Sequence, residues 1–310
     1  MVDSKIVLDE GRDYLLYFGP IDRNGYNKLS DLLESKSTDF KKCQFTLITN
    51  GGSPDSAYRI ARALGHYYTE GVTVSVPDYC KSAGTLIVIG ASDLIIGDRG
   101  ELGPLDVQLQ NKDEIFEMSS GLDIIQSLTV IQEQAKGAFK DYLLEMRLGA
   151  GCGTKLSTQI AAKMAIKLVS PITAQIDPNR LGEHQRALTI AVSYGERLNK
   201  KFSNTNIKNI NKLLAGYPSH SFVIDRKEAN ELFDRVSAPD ENQIKIDKLS
   251  TTLCYSLPEE MRVIDLRHFI EGHKNEANDK TNKDESKPNR SKKRASKTAN
   301  NTDDRESTGG

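Results

Sequence analysis

The sequence predicts an α/β fold with mostly parallel strands, and three observations carry that prediction. Short β-branched and apolar runs, "RDYLLYF", "CQFTLIT", "GVTVSV" and "DLIIG", recur between residues 12 and 97. Between them stand segments whose apolar residues fall at helical spacing. Gly, Pro and Ser punctuate the joins. Strands that alternate with helices pair side by side through crossovers, which makes the sheet parallel.

Taken in order, "RDYLLYFGPID" (12–22) reads as a strand that ends in a turn at Gly19-Pro20. "RNGYNKLSDLLES" then places Tyr26, Leu29, Leu32 and Leu33 on one helical face. "CQFTLIT" (43–49) is a short buried strand, and "NGGSPDSAYRIARALGHYY" (50–68) is a Gly-rich turn that opens a helix. Ser53 caps that helix and Pro54 takes its first position, where a missing N–H costs nothing. "GVTVSV" (71–76) is the next strand, "SAGTLIVIGA" the next helix and "DLIIG" (93–97) the strand after it. Beyond "ELGPLDVQLQNKDE" the texture turns helical: a long amphipathic helix over 121–150, then helices near 155–169 and 180–200. In "AGYPSHSFVIDRKEANELF" (215–233) a turn and a short strand precede a helix that starts near Asp225. The organisation expected is an α/β core over 1–120, a helical part over 121–270 that packs on the core or on neighbouring subunits, and a charged tail over 271–310. The tail is nearly devoid of apolar residues and is expected to be disordered, because it buries too little surface to offset the entropy of ordering. Its basic run, "KPNRSKKRASK", reads as a solvated tail, with contact to nucleic acid or anionic lipid as the alternative.

Bulk properties narrow the class. The 310 residues suffice for one large or two ordinary domains, and 37 % hydrophobic residues supply a core. A net charge of −1 gives no case for nucleic-acid binding by the whole chain. The four cysteines form no CxxC pair and the five histidines show no ligand spacing, so neither a disulfide frame nor a metal site is expected. Acidic residues interrupt the N-terminal segment, which argues against a secretory signal. The longest apolar stretch, 83–97, is broken by Ser92-Asp93 and is too short to span a bilayer. A cytoplasmic protein is expected, with peripheral attachment to a membrane through a partner left open.

One stretch does not read as ordinary core. In "VPDYCKSAGTLIVIG" a hydroxyl, Ser82, with small neighbours Ala83 and Gly84, sits where a strand gives way to an apolar helix. The free N–H groups of a helix start favour a developing anion. The N–H of Ala83 could join one from Gly51 or Gly52 of "TNGGSP" in an oxyanion hole. Taken singly, Gly-Gly is a tight turn and Ser82 a helix cap. The ordered series of Gly-Gly turn, helix, strand and Ser-Ala-Gly is what points to chemistry.

That series resembles the Clp-fold peptidases. "LITNGGSPDSAYRIARAL" is similar to their oxyanion strand-turn-helix, "CKSAGTLIVIGASDLIIG" to their nucleophile block and "YFGPID" to their first strand-turn. With "ELGPLD", "QIDPNRLGEHQRAL", "YGERL" and "GYPSHSFVID", the chain resembles the serine-dehydrogenase-proteinase family, bacterial relatives of ClpP and signal peptide peptidase A, over residues 10–235. The resemblance implies a ClpP/crotonase-like spiral of ββα units with a helical C-terminal extension, a polypeptide substrate, no cofactor, and assembly into homo-oligomers, with an ATPase partner an open question.

It also implies roles. Ser82 takes the place of the nucleophile, and Gly51 or Gly52 with Ala83 that of the oxyanion donors. The base does not carry over cleanly. ClpP-type enzymes place a His roughly where "GELGPLDVQ" lies, and this segment has none; Asp106 is its nearest ionisable residue of interest. Signal-peptide-peptidase relatives use a Lys about where Lys140 and Lys136 stand in "AKGAFKDY". A lysine serves as base only if desolvation lowers its pKa; the alternative is that both face solvent on an amphipathic helix. Lys81 ranks lower, since neighbouring side chains at an element start diverge. His66 and His184 read as helix surface, and His220 as a turn residue. The reading is a serine peptidase acting through an acyl-enzyme. A catalytically inactive peptide-binding or assembly scaffold is the alternative, and an acyl-CoA enzyme of the crotonase type a weaker third.

Overall fold

The computed structural model describes residues 6–36, 39–105, 108–110, 118–219 and 221–272. The chain divides into residues 1–270 and 271–310; the architecture below is that of the described residues of the first. In chain order come β1 (Arg12–Phe18), α1 (Arg23–Ser35), β2 (Lys42–Ile48), α2 (Pro54–Tyr67), β3 (Gly71–Val76), β4 (Tyr79–Cys80), α3 (Ala83–Ile89), β5 (Asp93–Ile96) and β6 (Glu101–Leu102). A short antiparallel pair, β7 (Gln108–Gln110) and β8 (Met118–Ser120), leads into α4 (Gly121–Leu144). A π-helical turn, Glu145–Gly149, separates α4 from α5 (Thr154–Thr173), and these two helices pack on each other. Then follow α6 (Pro178–Phe202), α7 (Ile207–Ala215), α8 (Arg226–Leu232), β9 (Val236–Ser237), α9 (Glu241–Ser256) and β10 (Val263–Asp265).

The main sheet runs β10-β1-β2-β3-β5-β9. All its pairs are parallel except β10, which lies antiparallel on β1 with Leu15 opposite Asp265. The chain is thus a mixed α/β fold built on a parallel sheet, as its alternating pattern predicts. Period-two alternation in β1 divides the core. Leu15 and Tyr17 face a cluster with residues of α1, α2, α3 and α6, whereas Tyr14, Leu16 and Phe18 face Ile246, Leu249 and Leu253 of α9. A sheet buried on both faces reads as continuous apolar sequence, which is why β1 shows six buried residues in succession.

The local signals act as expected at α2. Ser53 Oγ accepts from the N–H of Ser56 at 3.3 Å, and Pro54 occupies the first turn. Asp225 caps α8 in the same way, accepting from Glu228 N–H at 2.8 Å. The part of the chain expected to be mainly helical also supplies β9 and β10 to the sheet, and the strand expected near Phe222–Ile224 is only an isolated bridge between Ile224 and Leu102. The amphipathic segment from 121 is helical to Leu144 and then widens into the π turn.

Candidate active site

Three turns are laced together at the carboxyl ends of β1, β2 and β4, where ligands collect in open α/β sheets. The Gly51-Gly52 turn is pinned to the turn after β1: the N–H of Ile21 donates to Gly51 O at 2.8 Å and that of Ser53 to Ile21 O at 2.7 Å. The end of β2 is pinned to β4, with Thr49 N–H on Tyr79 O at 3.0 Å and Lys81 N–H on Thr49 O at 2.9 Å. These ladders bring the Gly-Gly turn against Ser82. A Cβ built on Gly51 would lie 2.8 Å from Ser82 Cβ and 3.2 Å from the N of Ala83, and Gly51 has a φ of +102°. Position 51 therefore tolerates no side chain on two independent counts.

Ser82 itself sits at φ 49° and ψ −115°, a conformation that L residues avoid. It is 9 % exposed, precedes α3 and makes no side-chain cap on that helix. The capping role weighed for Ser82 is thus absent. A strained serine on a sharp strand-to-helix turn is the geometry by which a nucleophile is presented above a sheet. The turn is held from behind. Gly84 packs so closely on Cys80 and Thr49 that an added Cβ would lie 2.7 Å from Cys80 Sγ and from Thr49 Cγ2. Thr85 Oγ1 donates to Gly103 O at 2.6 Å, tying α3 to the segment after β6. Burial pushes the Cys80 thiol up, so this neighbour is a neutral packing group.

The backbone donors are distributed unequally. The N–H of Gly51 is engaged by Thr49 Oγ1 at 3.0 Å. Gly52 is exposed, and among the described residues neither its N–H nor that of Ala83, the first residue of α3, has an acceptor. Beside this turn a recess of about 410 Å³ is lined by Phe18, Pro20, Asn50, Tyr79, Tyr255 and Leu257.

Lys81 is the residue whose environment the sequence left undervalued. Its Nζ forms an ion pair with Glu101 Oε1 at 2.7 Å and donates to Leu102 O at 3.3 Å. Its stem covers Gly103, where a Cβ would meet Lys81 Cδ at 2.7 Å. The ion pair spans the two-residue ladder of β4 with β6, too short to be seen as strands in the sequence. Lys136 and Lys140 are exposed on α4, the helix that packs chiefly on α5. Asp106 and His220 lie outside the described residues, as does the basic run of the tail. His66 is exposed at the end of α2, edge-on to Tyr67. His184 falls within α6, where Ala187, Leu188 and Val192 pack against the core. Among the described residues no helix is long and apolar enough to cross a membrane.

Comparison with known proteins bears on this site. Residues 35–127, the span from the end of α1 into α4, match the family described as ClpP-like SDH-type serine proteinase. The uncharacterized protein MJ0137 of Methanocaldococcus jannaschii is 39% identical over 69 residues, which are 22% of this chain and 24% of that protein. The match thus spans about a quarter of that relative's length. Among solved structures, the chain is similar to a serine-to-alanine mutant of the 1510-N membrane-bound stomatin-specific protease, with a TM-score of 0.42 and 11% identity over 73% of this chain and 78% of that one. A lysine-to-alanine mutant of the 1510-N membrane-bound stomatin-specific protease, in complex with a substrate peptide, gives 0.32 and 15% over 77% and 97%.

Proposed function

We propose, from the premise that residues 35–127 belong to the ClpP-like SDH-type serine proteinases, that the chain is a serine peptidase with Ser82 as its nucleophile. One observation carries the reading: Ser82 holds a strained backbone, does not cap its helix, and has Gly51 against its Cβ. Ser82 Oγ attacks a peptide carbonyl carbon while a base takes the hydroxyl proton. The oxyanion is received by the N–H of Ala83 and one from the Gly51-Gly52 turn; the engagement of Gly51 by Thr49 favours Gly52. A donor of this kind lowers the barrier by about 3 kcal/mol. The C–N bond then breaks, the proton passes to the departing amine, and water hydrolyses the acyl-enzyme. The recess beside Asn50 suits a substrate side chain.

Lys140 is the proposed base, with Lys136 as the alternative and Asp106 as a residue that orients the base. Both lysines are exposed in the single chain. A base there needs desolvation by substrate or by a second copy of the chain in a homo-oligomer. A cytoplasmic site of action, with peripheral membrane association as the alternative, fits the reading. A fluorophosphonate probe tests it: wild type is labelled, Ser82→Ala is not, and Lys140→Ala is labelled more slowly. Equal labelling of wild type and Ser82→Ala overturns the assignment of the nucleophile.

The exposure of both lysines favours one second reading, a catalytically inactive scaffold that keeps the fold and binds peptides. Degradation of an unfolded protein by wild type, lost in Ser82→Ala, excludes it.

A further inference from the structure

We propose that a recess formed by α1, α2 and α6 binds a small ligand bearing phosphate groups. The recess encloses about 510 Å³, within the range of small-molecule sites, and shares no lining residue with the turns around Ser82. Arg59 and Arg62 reach it from α2, and Arg197 and Lys201 from α6. A single carboxylate, Glu34, lines it, and that group already accepts from Ser30 Oγ at 3.3 Å.

The cations are not neutralised locally. Among the described residues, no ion pair includes Arg59, Arg62 or Arg197. Arg59 and Arg62 stand three residues apart and Arg197 and Lys201 four apart, spacings at which like charges on a helix repel. Holding such charges around one concavity is unfavourable until an anion compensates them. Guanidinium groups match phosphate oxygens with paired N–H donors, which a dispersed lysine surface does not.

The walls add a second property. Tyr58 stacks on Tyr194 with ring centroids 4.2 Å apart and planes at 13°, so its ring orientation is fixed by packing. Tyr26 is covered by the guanidinium of Arg59 at 5.8 Å and by that of Arg23 at 5.3 Å. A cation-rich recess with rigid aromatic sides has chemistry for phosphates and for a planar group attached to them.

Titration calorimetry of the full chain with tripolyphosphate and, separately, with ATP tests the proposal. Saturable binding is expected for at least one probe, weaker at higher salt and about tenfold or more weaker in the Arg62→Gln, Arg197→Gln double variant. The variant's thermal unfolding without ligand serves as its folding control. ATP binding about tenfold tighter than tripolyphosphate, with the advantage lost in Tyr58→Ala, assigns the aromatic wall to a nucleoside. Equal binding of the two assigns the site to phosphate alone. No binding of either probe at millimolar concentration to the wild type, or undiminished binding by the folded double variant, overturns the proposal. Peptidase activity does not enter these readouts, so the result stands apart from the assignment of Ser82.

Discussion

Asp247 gives the sharpest quantitative test of the packing. It lies on α9, 7 % exposed, with Oδ1 accepting from Ser75 Oγ at 2.9 Å and from Gln243 Nε2 at 2.7 Å. Its Oδ2 is buried and, among the described residues, has no partner. Burial is the dominant influence and raises the carboxyl pKa from 3.8 to about 6, outweighing the two hydrogen bonds, which lower it. A raised folded-state value means that the contribution to stability is fully present below the unfolded value and is lost as pH rises through about 6. Lifting a carboxyl from 3.8 to about 6 corresponds to a loss of about 3 kcal/mol once it is ionised at neutral pH. Asp247→Asn keeps an oxygen acceptor for Ser75 and Gln243 and cannot ionise. Urea unfolding of wild type and variant between pH 4 and pH 7.5 isolates this group, because other carboxylates cancel in the difference. The variant is expected to gain on the wild type by about 2.5 kcal/mol across that range, the remainder having been lost below pH 4 where the unfolded carboxyl begins to ionise. A pH-independent difference, or one of opposite sign, refutes the argument that burial dominates at this position.

Two further outcomes follow from features of the fold. Lys36 is 9 % exposed and joins Asp13 at 3.1 Å to Asp265 at 2.5 Å, while Tyr68 donates to Asp13 Oδ2 at 2.9 Å. Lys36→Met leaves a carboxylate 1 % exposed without its cation, and urea unfolding is expected to show a loss of about 3–5 kcal/mol, with part recovered when Asp13→Asn is added. At position 82 the φ of 49° strains any residue with a Cβ. Ser82→Gly is expected to exceed Ser82→Ala in stability by about 1 kcal/mol, the relief of strain being offset in part by the entropy of glycine; equal midpoints would show that this turn holds no strain.

Much of the fold was legible because β1, β2 and β3 are buried on both faces and announce themselves as apolar runs, and because Ser53-Pro54 marks a helix start by its own chemistry. The strands β9 and β10 were not legible, being two and three residues long and partly exposed. Their position at the sheet edges is decided by pairing with distant strands, which no local pattern carries. The same division holds at the site. Ser82 and the Gly-Gly turn were recognisable as a series, whereas their approach depends on hydrogen bonds among Ile21, Thr49 and Tyr79. The ion pair of Lys81 with Glu101 was hidden because the ladder that aligns them is only two residues long. The left-handed backbone at Ser82 had no signal of its own, since serine carries no preference for a positive φ that the sequence could reveal.

The antiparallel seat of β10 beside β1 has a consequence for biosynthesis. During translation β1 keeps one row of backbone amides and carbonyls bare until residues 263–265 emerge, long after β1 and its parallel neighbour β2 have been made. Any truncation upstream of Val263 would leave that flank open to adventitious strand pairing, so nascent and clipped chains are the forms most in need of a chaperone.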